Sequence, residues 1–234
     1  MRKKKIRNKK AVLAFMTAVV IGLFLLRSVL LNRGVIRTPQ PLEPAELQRQ
    51  MNEYEVGINA NGHAGRGTIL QFTEPKKNQE AGTCYVVSAC HLVKNGDGCE
   101  ITFSDGTKAA GEVIALNEEL DLGILKCSVN GQTSVWFSED LMYQMQEGDP
   151  VYYLDQESLM SGSYIGKDIL LEETDAGLRR MAFAGENKNG MSGGGVYSST
   201  GYYLGMIIAG SDSEEPAVIC IPGNQVVDYF RENH

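Results

Sequence analysis

From residue 54 onward, short apolar runs alternate with clusters of turn residues, the pattern of an all-β fold. GTIL at 67–70, TCYVVSA at 83–89, CEITF at 99–103, GEVIAL at 111–116 and LGILKC at 122–127 are predicted strands. So are PVYYL at 150–154, GSYIG at 162–166, DILLEE at 168–173, RRMAFAG at 179–185, GGVYS at 194–198, YYLGMIIAG at 202–210 and AVICI at 217–221. Asn95-Gly96, Asp97-Gly98 and Asp105-Gly106 are hairpin signals, since both central residues of a tight two-residue turn need a positive φ. This many short strands at regular spacing predict a sandwich or a pair of barrels. The closing segment NQVVDYFREN at 224–233 places Val226, Val227 and Phe230 on one face at helical spacing, so a terminal helix is expected.

Before residue 54 the pattern is different. The first ten residues, MRKKKIRNKK, hold seven basic side chains, and residues 11–31 form an apolar run interrupted by Arg27, Thr17 and Ser28. About 20 helical residues span the hydrocarbon core of a bilayer. The run is longer than the apolar part of a cleaved signal peptide and lacks a small-residue cleavage site. Residues 11–31 are therefore predicted to be a transmembrane anchor in a lipid bilayer. The positive-inside rule makes residues 1–10 a cytoplasmic tail and leaves the body extracytoplasmic. Residues 32–53 read as a proline-stiffened linker followed by a short helix over 44–53, with Pro44 in its first turn. The remaining domain is 54–234.

Composition narrows the function. The chain has 234 residues, 43% hydrophobic and 22% charged, which suits a globular domain with an appendage. All 29 acidic residues follow residue 37, whereas 10 of the 22 basic residues precede residue 38. The body is thus strongly acidic, which disfavours nucleic-acid partners. Five cysteines without a CxxC pair, and three histidines, do not form a zinc-site pattern, and no metal or cofactor is expected. Cys84 and Cys99 fall on candidate neighbouring strands. A bridge between them is one option, but the pairing stays open. Cys90, beside His91, reads as a small buried hydrophobe.

Three segments carry candidate chemistry. YVVSACHLV runs an apolar strand into His91. NEELDLGILKC sets Asp121 at the head of an apolar run, where a carboxylate needs a partner, and an imidazole would supply one. ENKNGMSGGGVYSS places Ser192 among glycines, whose freedom lets backbone N–H groups converge on one point, as an oxyanion hole requires. A serine hydroxyl is a weak nucleophile without an adjacent base, and that base needs an orienting carboxylate. The order His, Asp, Ser is that of chymotrypsin-like proteases.

On these residues the sequence resembles the HtrA/Deg-type trypsin-like serine proteases over roughly residues 56–232. GRGTIL at 65–70 is similar to the family's GSGFI, SACHLV at 88–93 to TAAHVV, and EGDPVYYL at 147–154 to GDPVxAIG. The stretch 103–127 is similar to the family's hairpin and DLAVLK segment. GMSGGGV at 190–196 is similar to GNSGGPL, and YLGMI and AVICIP to its last strands. The resemblance implies two six-stranded antiparallel β-barrels with the site between them. It makes His91 the general base, Asp121 its orienter and Ser192 the nucleophile, with the N–H groups of Gly190 and Ser192 as the oxyanion hole. Glu186, six residues before Ser192, stands where trypsins carry the acid that selects basic side chains.

The family departures are Met191 before the serine and Gly195 in place of proline. Secreted trypsins carry an acid before the serine that receives a new N-terminus. With Met191 there, that activation mode is not expected. The chain ends after the terminal helix, so the family's PDZ domain is not expected in it. The expected function is a membrane-anchored extracytoplasmic serine endopeptidase acting on polypeptides through an acyl-enzyme. A latent or inactive pseudoprotease that binds or senses is the alternative, and oligomerisation is left open.

Overall fold

The computed structural model describes residues 16–17, 19–21, 40–77, 79–95, 98–156, 158–170, 178–211 and 216–234. The chain divides into two compact units, Met1–Gln40 and Pro41–His234. In the first, residues 16–17 and 19–21 are helical. Most of the anchor expected over 11–31, and the whole basic tail 1–10, lie outside the described residues. Among the described residues, no helix is long and apolar enough to cross a membrane.

The second unit opens with helix α1 (Pro44–Tyr54). Leu47, Met51 and Tyr54 recur at the spacing of one helical face and are buried. The strands are β1 (Glu55–Ala60), β2 (His63–Thr73), β3 (Gly82–Ala89), β4 (Cys99–Thr102), β5 (Lys108–Asn117) and β6 (Leu122–Val129). They close a barrel in the order β1-β2-β3-β6-β5-β4. Strands β7 (Pro150–Asp155), β8 (Ser158–Leu170), β9 (Arg179–Ala184), β10 (Gly195–Ser198), β11 (Tyr203–Ser211) and β12 (Ala217–Pro222) close a second barrel in the order β10-β11-β12-β9-β8-β7. All ladders are antiparallel. Three short or terminal helices complete the unit: α2 (Cys90–Val93), α3 (Glu139–Gln144) and α4 (Gly223–Asn233).

Each barrel has its own apolar filling. Val56, Ile69, Val86 and Leu125 fill the first, and Tyr153, Phe183, Val196 and Leu204 the second. A third cluster joins the two. It gathers Leu47 and Met51 of α1, Leu122 and Ile124 of β6, Tyr197 and Met206 of the second barrel, and Val226 and Phe230 of α4. α1 and α4 thus cement the barrels together rather than standing apart.

Two strand assignments differ from the sequence reading. β1 was not among the predicted strands, because EVGINA carries Glu55 at a buried position and a mid-strand glycine. The tight turn that follows it, Asn61-Gly62, has φ of 52° and 84°, the geometry of a two-residue hairpin. GSYIG and the start of DILLEE belong to one strand, β8, whose ladder to β9 shifts register beside Gly166. Residues 171–173 lie outside the described residues. Asp105-Gly106 does turn the β4–β5 hairpin, with Gly106 at φ 82°. Asn95 lies instead between α2 and β4.

The cysteines need a correction. β3 pairs with β2 and β6, while β4 pairs with β1 and β5, so Cys84 and Cys99 are not on neighbouring strands. Cys84 stands opposite Cys127 in the β3–β6 ladder. All five cysteines are free and buried.

Candidate active site

The β3–β6 register brings the first two residues together. Ala89, the last residue of β3, pairs with Leu122, the first of β6. The chain beyond Ala89 turns into α2 and presents His91, and the residue just before Leu122 is Asp121. The Cys90 N–H donates to the Asp121 carbonyl at 3.1 Å, and the His91 N–H donates to Asp121 Oδ1 at 2.8 Å. The ring closes the arrangement, with His91 Nδ1 at 2.7 Å from Asp121 Oδ2. Asp121 thus has the imidazole partner that its place at the head of an apolar run calls for.

Asp121 has φ of +61°, an uncommon conformation for a non-glycine residue. Its neighbourhood holds it there. Asn117 Oδ1 accepts from the Leu120 N–H at 2.9 Å inside the turn, and Arg180 of the second barrel donates through Nη2 to the Glu119 carbonyl at 3.3 Å. The hydrogen bond to Asp121 raises the His91 pKa above its ordinary value, and partial burial opposes that rise. The His91 side chain is 49% exposed and that of Asp121 24%, so the pair sits at an open edge rather than in the core.

Ser192 stands on the loop before β10. Gly194 N–H donates to the Met191 carbonyl at 3.0 Å, and Met191 N–H to the Lys188 carbonyl at 3.3 Å, which wraps the loop tightly around the serine. Gly190 and Gly193 both have positive φ, 91° and 88°. At Gly193 a β-carbon would fall 2.0 Å from the Arg66 carbonyl oxygen, so only glycine fits. Among the described residues, the N–H groups of Gly190 and Ser192 donate to no protein acceptor, and a β-carbon at Gly190 would meet nothing within 4 Å. Two backbone donors therefore remain available beside the serine.

His91, Gly190 and Ser192 line one cleft of about 400 Å³, together with Asn61, His63 and Asn189. An adjoining cleft of about 930 Å³ continues past Asn189 and Gly190 to Arg66, Asp155 and Gln156. Glu186 lines neither. Its side chain is 67% exposed, with Oε2 3.8 Å from Lys188 Nζ, which itself lies 2.5 Å from Asp155 Oδ2. The neighbour that turns inward is Asn187, whose amide lies so close over Gly210 that a β-carbon there would fall 2.1 Å from Nδ2.

Two features of the site escaped the sequence reading. Met191 is buried in the second barrel's core, where its Sδ accepts from the Lys188 N–H at 3.1 Å, so the position before the serine is anchored by apolar packing. Glu55 and Arg66 form an ion pair at 2.6 Å behind the loop, with side-chain exposures of 0% and 15%. Burial raises the Glu55 pKa, against the opposing pull of Arg66 and the Gly195 N–H. The one trace of this pair in the sequence is the arginine set between two glycines in GRG, where the resembling family has serine.

The trypsin-like peptidase domain family matches residues 65–206. No curated protein matches the chain in sequence. Among solved structures, the HtrA-type protease AlgW with a tripeptide is 13% identical, with a TM-score of 0.69 over 82% of this chain. The same protease with a decapeptide is 12% identical, with a TM-score of 0.68 over 82% of this chain and 67% of its own. In the tripeptide structures this chain covers 63% of the AlgW chain. At such identity the likeness is one of fold, a fold in which this chain pairs Asp121 with His91 and has His91 and Ser192 lining one cleft. The family match spans all three residues and more than half of the sequence, and the chain belongs to the trypsin-like peptidase domain family.

Proposed function

We propose that the protein is a serine endopeptidase in which His91, Asp121 and Ser192 act together on polypeptide substrates. The observation that carries the reading is the double hold of Asp121 on His91, through the backbone N–H and Nδ1, on a cleft that Ser192 shares. With Nδ1–H directed at the carboxylate, Nε2 is the nitrogen left to accept a proton. Ser192 Oγ attacks the scissile carbonyl as its proton passes to His91. The oxyanion of the tetrahedral intermediate takes hydrogen bonds from the Gly190 and Ser192 N–H groups. The intermediate collapses, the C–N bond breaks, and His91 returns the proton to the leaving amine. Water then attacks the acyl-enzyme by the same proton route and frees Ser192.

Two finer proposals accompany this one. Residues 11–31 anchor the enzyme in a bilayer with residues 1–10 cytoplasmic and the peptidase domain outside, on the support of the apolar run and its basic flank. Alkaline carbonate extraction of membranes tests it, and release of the full chain into the soluble fraction refutes it. Glu186 draws basic side chains to the site, a preference weakened by Lys188 beside it. Peptide libraries test that, and equal cleavage after aliphatic residues refutes it.

The central experiment is treatment of residues 38–234 with a fluorophosphonate, followed by mass-spectrometric mapping. Covalent labelling at Ser192 that disappears in His91→Ala is the expected outcome. A folded protein that stays unlabelled would refute the reading and favour a binding or sensing role for the same fold.

A further inference from the structure

We infer that Glu55 and Arg66 are positioning residues that hold the Ser192 loop in its working geometry from the opposite barrel. The inference rests on the protease reading above and names a part of that site which neither the family match nor the fold likeness assigns.

Four of the six residues from Gly190 to Gly195 are glycine, and such a segment loses more conformational freedom on ordering than any other. Something must restrain it. In secreted trypsins the acid before the serine does so once a new N-terminus reaches it. Met191 stands at that position here; buried in the second barrel, it accepts from the Lys188 N–H through Sδ and from the Gly194 N–H through its carbonyl, but it carries no charge to direct the loop.

β11 holds the middle of the loop, the Gly193 N–H donating to the Ile207 carbonyl at 2.8 Å and the Ile207 N–H to the Gly194 carbonyl at 2.9 Å, and a separate set of ties comes from the first barrel. The Arg66 N–H donates to the Ser192 carbonyl at 2.9 Å. Thr68 Oγ1 donates to the Gly193 carbonyl at 3.4 Å, and the Gly195 N–H donates to Glu55 Oε1 at 3.3 Å. The other carboxylate oxygen, Glu55 Oε2, holds Arg66 Nε at 2.6 Å, and Arg66 Nη1 reaches across to the Gln156 carbonyl of the β7–β8 turn at 2.7 Å. One guanidinium and one carboxylate therefore join β1, β2, the β7–β8 turn and the serine loop.

A buried ion pair is weak evidence of stability, because a well-packed apolar pair of similar volume often serves stability as well. What an apolar pair does not supply is direction. The carboxylate addresses one particular N–H, and the arginine fork addresses one particular carbonyl. The loop they address ends at the two free donors, Gly190 and Ser192. This clamp is part of the folded domain, so it sets the loop without cleavage of the chain.

The test compares the full chain as wild type, Glu55→Leu/Arg66→Met, and Arg66→Lys. The double variant replaces both charges by apolar groups of similar length, which keeps it foldable, and circular dichroism verifies that. Two readouts are taken, amide hydrogen exchange over 190–196 and the second-order rate of fluorophosphonate labelling at Ser192. In the double variant the 190–196 amides are expected to exchange faster while those of the barrel cores do not. Labelling is expected to slow about 10²-fold, the effect of a misplacement on the order of 1 Å. Arg66→Lys keeps the charge but loses the fork to Gln156, so its rate should fall between the two. Folded double variant with wild-type exchange over 190–196 overturns the inference, as does wild-type labelling of that variant. If wild type itself is unlabelled, the protease reading fails, and the exchange result alone then decides whether the clamp exists.

Discussion

Asp121→Asn separates the two roles that the carboxylate has in this structure. The substitution is nearly isosteric, and asparagine tolerates the +61° φ of this position better than most residues do. Its Oδ1 can keep the 2.8 Å bond from the His91 N–H. Its NH2 must then face Nδ1, where Oδ2 now accepts at 2.7 Å. A donor facing Nδ1 forces the ring proton onto Nε2, the nitrogen that has to receive the serine proton. The expected loss is about 10⁴-fold in kcat/KM, or about 5 kcal/mol of transition-state stabilisation. The folded state should lose far less. With the two side chains 49% and 24% exposed, the pair contributes about 1 kcal/mol or less to stability. In a domain of this size that shifts Tm by about 2–4 °C or less. The pH dependence adds a check on sign. Asp121 raises the His91 pKa, and the imidazole must be neutral to act as base, so the acid limb of the kcat/KM profile lies above the ordinary histidine value. In the variant the limb should move to lower pH. The same raised pKa stabilises the folded wild type below the unfolded-state histidine value, and that contribution is lost as pH rises through the folded value. The assay is hydrolysis of a peptide substrate across pH, with thermal melts alongside. A variant within tenfold of wild-type activity, or an acid limb that stays in place, would refute the reasoning.

Other outcomes follow from the same geometry. Gly193→Ala puts a β-carbon 2.0 Å from the Arg66 carbonyl at a φ of +88°, so a loss of about 3 kcal/mol or more, or failure to fold, is expected in denaturant titration. Gly190→Ala has the same sign of φ but open space around it. It should therefore cost only about 1–2 kcal/mol of strain while slowing Ser192 labelling through the displaced donor. Met191→Asp buries a carboxylate among apolar side chains and should destabilise the domain by about 3–5 kcal/mol, read as a fall in the denaturation midpoint. Because all five cysteines are free and buried, a thiol reagent should react slowly with the native domain and with five groups after denaturation, and a lower count under denaturing, non-reducing conditions would contradict that.

Local chemistry is written into the sequence where a residue's neighbours along the chain decide its fate. The apolar run into His91, the carboxylate at the head of the next strand and the serine among glycines could all be read in line, as could the Asp105-Gly106 turn, the proline at the start of α1 and the apolar face of α4. β1 could not, because Glu55 breaks its apolar face, and the reason for an acid there lies eleven residues away in Arg66 and far along the chain at Gly195. Glu186 was legible from its spacing to Ser192, while Lys188 beside its mostly exposed carboxylate and Asn187 against Gly210 came only with the fold.

The sequence by itself determined the strand-rich class, the chain order of the three candidate catalytic residues and the glycine loop, since these depend on periodicity and local composition. Only the tertiary structure decided that Asp121 bonds to His91 through both its backbone and its ring, because that needs the Ala89–Leu122 register of two strands distant in sequence. It alone decided that Cys84 faces Cys127 rather than Cys99, and that Met191 and the Glu55–Arg66 pair hold the serine loop. Burial and pairing energies act between residues that meet only after the barrels have closed, and no pattern along the chain encodes which of them will meet.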